Sequence, residues 1–258
     1  MNSAREHVLK WLDSGLRYDG RKLDEMRKVT LETGVSKNAE GSARVLFGET
    51  EVLAGVKMGA ETPYPDTPES GNLMVNAELT PLSNPDFESG PPSDEAVEVA
   101  RITDRGIRES KVIDTAKLCI TPKEKVWSVM IDIVTVNTHG NLIDASAFAA
   151  VAAMGKARFP SFEDGAVKYD KPTDKGLPLD MAKLPITITV CKLGKHILVD
   201  PLPDEEAVAD ARLSVAIIGD GSIVALQKGG EHALTAKDVD DMVGLAQAKS
   251  KELRKLLK

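Results

Sequence analysis

The sequence predicts an α+β fold, and three observations point to it. Period-two apolar patterns cluster as hairpins, as in Ala43–Phe47 and Glu51–Met58 joined by Gly48-Glu49-Thr50. Helical patterns follow groups of strands rather than alternating with them. The order of strands and then a helix comes twice, with a break near residue 180. Hairpin strands with segregated helices suit an α+β arrangement better than a parallel βαβ sheet.

The elements follow in order. Residues 3–14 read as a helix with Ser3 as N-cap, Glu6 completing a capping box and Gly15 as the stop. A charged turn, RYDGRKLDEMRKV, bends at Asp19-Gly20. Strand patterns then cover Lys28–Glu32, Ala43–Phe47, Glu51–Met58 and Leu73–Leu79. Segments 59–71 and 80–94 are rich in proline and read as loops. Ser93 or Asp94 caps a helix that runs to about Val112. Strands follow at Lys117–Thr121 and Lys125–Thr138, and then a helix at Asp144–Lys156. Residues 159–183 are polar, hold proline and glycine, and read as a linker or excursion. Four short strands (Pro185–Lys192, His196–Val199, Ala211–Ile218, Ile223–Leu226) and a helix at Thr235–Leu257 complete the pattern.

The 258 residues suffice for one large domain or two modest ones with a real core. With 42% hydrophobic and 28% charged residues the composition is that of a soluble globular protein. No apolar stretch approaches the roughly 20 residues that span a bilayer. The opening MNSAREHVLKWLDSG has mixed charge and no apolar signal region, so a cytosolic, cytoplasmic protein is expected. Cys119 and Cys191 sit in apolar strand-like runs and read as buried free thiols. The histidines are scattered and lack zinc-ligand spacing. A net charge of −7 argues against a stand-alone nucleic-acid binder, so any such contact needs a local patch or a basic partner.

Three constellations have chemical potential. On SDEAVEVARITDRGIRESKVID, Arg101, Arg105 and Arg108 stand at i, i+4 and i+7 and form one stripe. Guanidinium groups suit phosphate oxygens. Glu98, Asp104 and Glu109 lie in reach, so a solvated, salt-bridged face is the competing reading. Second, Asp200, Asp204, Glu205, Glu206 and Asp210 crowd a loop before a strand, either as a solvated acidic loop or as a Mg²⁺ site. Third, VNTHGNLIDASAFAAVAAM feeds a strand into a helix through Gly140, a turn of the kind that holds phosphate. Asn141-Leu142 brings no cation there, and Asp144 in the first turn is expected to cap the helix and repel an anion.

RYDGRKLDEMR (Arg17–Arg27) and AEGSARVLFGETEVLAGVK (Ala39–Lys57) resemble the opening segments of the RNase PH family. NAELTPLSNPDFESGPP (Asn76–Pro92) and ARITDRGIRES (Ala100–Ser110) resemble, more narrowly, the non-catalytic ring subunit of the archaeal exosome. The resemblance covers nearly the whole chain. It implies a first domain like the second domain of a small-subunit ribosomal protein, and a C-terminal RNase PH domain. The organisation expected is 1–27 as helix and RxDGR segment, 28–165 as domain 1, 166–184 as linker and 185–258 as domain 2.

The resemblance also implies what is missing. Active relatives use inorganic phosphate to degrade RNA from its 3′ end, and hold that phosphate at a Gly-Ser/Thr-Arg turn. Here the triplet is Gly140-Asn141-Leu142. Their two metal-binding aspartates, six positions apart, match Glu206 and Arg212, and a cation cannot ligate Mg²⁺. A two-residue shift would restore a pair at Asp204 and Asp210, but it breaks both anchors of the match, at Asp200 and Val215. The basic segment of active members is replaced by PLSNPDFESGPPSDE. The expectation is a pseudo-enzyme with no cofactor or metal, set in a hexameric ring as one of three heterodimers with a catalytic subunit, beneath RNA-binding cap subunits. Arg101 and Arg105 are expected to touch the backbone of single-stranded RNA. Arg108 is left between RNA, the interface and a carboxylate partner. An active phosphate-dependent 3′–5′ exoribonuclease is the alternative.

Overall fold

A computed structural model describes residues 2–257. The chain opens with α1 (Asn2–Asp13), which stops before Gly15 at a φ of +80°. Ser3 lies inside this helix and does not cap it, because the helix already starts at Asn2.

The first sheet takes β1 (Val29–Thr33), β2 (Gly41–Phe47), β3 (Thr50–Glu61), β4 (Asn72–Glu78), β5 (Cys119–Thr121) and β6 (Lys125–Asn137). Its order is β1-β2-β3-β6-β4, with β5 appended to β6. Only β4 runs parallel to its neighbour β6. The expected hairpin is present, with Phe47 paired to Thr50. Along β3 the buried residues alternate as Val52, Ala54, Val56 and Met58, so one face of the pleat enters the core. Several sequence boundaries move, two of them next to this sheet's long strands. β3 extends to Glu61, into the expected loop 59–71, and a 3₁₀ turn at Thr115–Leu118 replaces the first half of the strand expected at Lys117–Thr121.

The second sheet is antiparallel, with β9 (Ile186–Leu193), β10 (His196–Val199), β11 (Ala211–Ile217) and β12 (Ile223–Gly229) in the order β10-β9-β11-β12. Three helices cover and join the sheets. α2 (Asp94–Ser110) is capped by the Ser93 hydroxyl, which accepts from the Ala96 amide at 3.2 Å, and it packs on both β4 and β12. α3 (Leu142–Lys156) touches β2 and β3 on one side and β9 on the other. α5 (Ala236–Leu253), with a capping box at Thr235 and Asp238, closes over β9 and β11. One apolar cluster runs through both sheets and all three helices.

The alanine-rich sequence of α3 is explained by this position. A helix that is apolar all round is a buried one. Small side chains let both sheets approach its backbone. At Gly41 of β2 the approach is so close that an added Cβ would stand 2.4 Å from the Ala153 carbonyl oxygen.

The segment read as a linker, 166–184, is folded. β7 (Arg158–Glu163) and β8 (Ala166–Gly176) form an antiparallel hairpin around Asp164-Gly165, followed by a 3₁₀ turn at Met181–Lys183. Most of β8 faces solvent, so it lacks the apolar alternation that marks a half-buried strand. The segment expected as an acidic loop holds a short helix, α4 (Pro203–Glu206). Of the two thiols, Cys191 is buried, and burial pushes it up from its ordinary range; Cys119 is only half-buried.

Phe148 of α3 meets Phe47 of β2 edge to face, with ring centres 6.2 Å apart. Phe148→Ala is therefore expected to cost about 3–5 kcal/mol, read as a lowered urea midpoint.

Candidate functional site

The turn between β6 and α3 keeps the shape of an anion site and spends its donors internally. Gly140 and Asn141 are both left-handed, at φ of +78° and +57°. Only glycine fits at 140, because a Cβ there would stand 2.4 Å from the Pro201 carbonyl oxygen. The Thr50 hydroxyl donates to the Gly140 carbonyl at 2.6 Å. The Asn141 amide, the donor aimed where an anion would sit, donates instead to Oε1 of Glu206 at 2.8 Å. Leu142 turns into the core.

Asp144 does not cap α3. It is fully buried, and its Oδ2 accepts from the Thr189 amide of β9 at 3.0 Å. The cap position belongs to Asn141, whose side chain makes no capping bond. Burial pushes the Asp144 carboxyl up to about 7, with Asp200 adding to the rise, against the pull of Thr189 and Asn141.

Behind the turn lies a cluster whose role the sequence did not reveal. Arg17, Arg21 and Arg27 of the RxDGR segment are largely buried and converge on the end of β10. Asp200 is 0% exposed and left-handed, at φ +50°. It accepts from Arg21 Nη1 at 2.9 Å, from the Arg27 amide at 2.7 Å, and from Arg27 Nη2 at 2.7 Å. The Asn141 Nδ2 donates to it at 2.9 Å. Arg17 forks onto the buried Glu205 of α4 and also donates to the carbonyls of Val199 and Asp200 at 2.8 and 2.7 Å. Arg27 donates to the carbonyls of His139 and Gly140 at 2.6 and 3.1 Å. Burial alone would raise the Asp200 carboxyl, but the bonds from Arg27 outweigh it and hold the group below its ordinary value. The sequence signal was present, as three arginines in eleven residues, but nothing local named their buried partners.

Glu206 and Arg212, the positions expected to have lost their metal ligands, line a cleft of about 590 Å³ with Glu95, Glu98, Asn141 and Asn84. Arg212 is bound by Glu98 of α2. Glu206 opens onto the cleft, yet the protein around it withdraws water and pushes its carboxyl up to about 7, against the pull of the Asn141 amide and Arg212. A guanidinium held by one carboxylate, beside a second that is engaged by an amide, does not fit a divalent cation. The shifted pair fares no better. Asp204 is exposed on α4, whereas Asp210 is chelated by Arg5 of α1 at 2.8 and 3.1 Å and accepts from the Gly194 amide at 2.6 Å. Burial would raise Asp210, but these bonds hold it low.

The stripe on α2 divides. Val99, Ile102, Thr103 and Gly106 are buried as expected, and the three arginines are exposed. Arg108 is gripped by Asp104 at 2.7 and 3.0 Å and donates to the Leu73 carbonyl at 3.0 Å, so it serves the fold. Arg105 donates to the side chain of Gln227 at 3.0 Å. Arg101 has no ion pair among the described residues.

Two outcomes follow. Asp144 keeps its proton in the fold to about pH 7 but loses it near pH 4 when unfolded, so its contribution to stability falls as pH rises between those values. Asp144→Asn removes that dependence, and its urea midpoint relative to the parent is expected to rise from pH 5 to pH 8. Asp200→Asn leaves buried arginines underpaired and is expected to cost about 3–5 kcal/mol, read by the same denaturation.

Comparison with known proteins agrees with this architecture. Residues 25–160 match the 3′ exoribonuclease family, domain 1, and residues 183–249 match domain 2 of the same family. The chain is 43% identical over 252 residues to the Exosome complex component Rrp42 of Methanosarcina acetivorans, across 98% of this chain and 92% of that one. It is also 43% identical to the Rrp42 of Sulfurisphaera tokodaii, across 98% and 93%. A chain of the Archaeoglobus fulgidus exosome, solved with RNA bound to the active site, superposes with a TM-score of 0.92 at 42% identity, covering 100% of this chain and 98% of that one. Rice Rrp46 shares the fold, with a TM-score of 0.70 at 18% identity, over 93% and 98%. With both domain matches in order on one chain, this protein belongs to the RNase PH family of 3′ exoribonucleases.

Proposed function

We propose that this chain is a non-catalytic ring subunit of an archaeal RNA-degrading exosome. In this reading it forms three heterodimers with a catalytic RNase PH-type subunit, structures that partner's active site, and carries RNA-binding cap subunits. The kinship with the Rrp42 components and with the Archaeoglobus fulgidus exosome chain supports the assembly.

The observation that carries the loss of catalysis is the bond from the Asn141 amide to Glu206. Phosphorolysis needs phosphate placed to attack the terminal linkage and positive charge to stabilise the phosphorane-like transition state. Here a carboxylate takes the donor that phosphate would use, and the cations nearby are spent within the protein, Arg212 on Glu98 and Arg27 on Asp200 and the carbonyls of His139 and Gly140. The alternative, an active phosphate-dependent 3′–5′ exoribonuclease using Asp204 and Asp210, is disfavoured because Asp210 is spent on Arg5 and Gly194.

What the chain offers RNA is charge. Arg101 stands exposed without an ion pair among the described residues, and Arg105 is held only by a neutral amide. Guanidinium groups at this spacing grip phosphates without reading bases. Arg108, bound to Asp104, contributes position rather than affinity. None of the described helices is long and apolar enough to cross a membrane; a cytoplasmic location is part of this proposal.

The isolated chain, given RNA, phosphate and Mg²⁺, is expected to release no nucleoside diphosphate, and the complex with its catalytic partner is expected to do so. Release by the isolated chain would overturn the reading. Arg101→Gln with Arg105→Gln in the assembled complex is expected to flatten the slope of log affinity against log salt by about 1.4, two single-strand contacts at about 0.7 each.

A further inference from the structure

A groove lies away from α2, where the hairpin β7–β8 meets the loop before β2. It has a volume of about 310 Å³, and Lys37, Glu40, Arg158, Pro160, Tyr169 and Pro172 line it. Pro160 and Pro172 pair across the hairpin, and the register shifts on both sides of them. Proline has no amide to donate, so the ladder is interrupted there and the ribbon opens.

The groove has an excess of unspent positive charge. Its one acid, Glu40, accepts from Lys57 Nζ at 2.6 Å with one oxygen and from the Met58 amide at 2.8 Å with the other. Lys37 and Arg158 are exposed and have no ion pair among the described residues. Arg158 makes one side-chain bond, to the Ala157 carbonyl at 3.3 Å. Asp170 and Asp174 on β8 pair with neither. Two unpaired cations in one groove stand out in a chain of net charge −7.

The groove also has an aromatic surface held in place. Lys57 Nζ sits 4.6 Å from the centre of the Tyr169 ring and donates to the Asn38 carbonyl at 2.7 Å, so one ammonium fixes both the ring and the loop. Tyr169 remains 55% exposed. The Arg158 amide donates to the Glu40 carbonyl at 3.0 Å and joins the two walls.

We infer that this groove binds single-stranded RNA, with a backbone phosphate between Lys37 and Arg158 and a base stacked on Tyr169. An exposed ring beside a cationic track is the arrangement that holds single strands without sequence preference. Prolines on both strands stiffen the walls, so little order is lost on binding. The choice of RNA among anionic polymers rests on the function proposed above, whereas the groove and its charge do not.

The test uses the full chain carrying Arg101→Gln and Arg105→Gln, so that α2 adds nothing, and fluorescence anisotropy of a labelled oligouridylate. Binding is expected to persist in this background. Lys37→Glu with Arg158→Glu is expected to weaken it at least about tenfold, and Tyr169→Ala about fivefold or more. Tyr169→Phe keeps the stacking face and is expected to bind as the parent does. Three results would overturn the inference. They are no binding once α2 is neutralised, full binding by Tyr169→Ala, and equal competition by an acidic peptide of matched charge. The first of these leaves the proposed function standing. Conversely, groove binding with an assembled complex indifferent to Arg101 and Arg105 would sink the α2 contact alone.

Discussion

The carboxylate of Asp200 is the constraint on which the rest of the site depends. It is wholly removed from water, and an isolated buried charge is prohibitively costly. It is tolerated because Arg21, Arg27 and Asn141 together supply its donors, while its own carbonyl accepts from Arg17 and Arg21. Those partners come from two distant parts of the chain, the arginines from residues 17–27 and Asn141 from the turn after β6. The N-terminal segment, the end of the first sheet and the end of β10 are therefore locked to one another through a single side chain. Beside it, the buried pair of Arg17 and Glu205 extends the lock to α4. Removing any partner leaves the others unsatisfied, so the cluster holds as a unit.

That lock accounts for the architecture of the turn without any part played by phosphate. Gly140 is required by the contact with Pro201, and the carbonyls of His139 and Gly140 are required by Arg27. These are demands of packing, and they stand whether or not phosphate ever binds. That leaves the Asn141 amide, and a buried donor needs a partner. Glu206 supplies it. The same economy appears at Arg212, which could not stay unpaired beside the cleft and is met by Glu98. The amide of the turn and the guanidinium of the cleft are both met from within, and the charge left exposed on the molecule is the charge available to a polyanion.

The exposed cations differ in what holds them. Arg108 reads in sequence as a member of the α2 stripe, yet Asp104 one turn earlier takes it out of use. Arg101 has the same side chain and is likewise exposed, but no carboxylate pairs with it among the described residues. Spacing on a helix places a side chain on a face; the neighbours on other elements decide whether its charge is free. Lys37 and Arg158 make the same point, being 121 positions apart and joined only by the packing of a hairpin against a loop.

The local and periodic features were legible in the sequence. The hairpin at Gly48-Glu49, the capped helix α2, the long strand β6, the all-apolar α3 and the twofold order of strands and helix follow from patterns within a few residues. The expected mismatch at Gly140-Asn141-Leu142, Glu206 and Arg212 came only from the resemblance to the RNase PH family, since no local pattern marks those positions. The hairpin β7–β8 was not legible, because a ribbon wetted over most of its length carries no apolar period. The burial of Asp144, the partners of Arg17, Arg21 and Arg27, and the capture of the Asn141 amide by Glu206 were decided by the tertiary structure alone. Each rests on a bond between residues far apart in the chain, and the cost or gain of such a bond depends on how much water the whole fold has excluded around it.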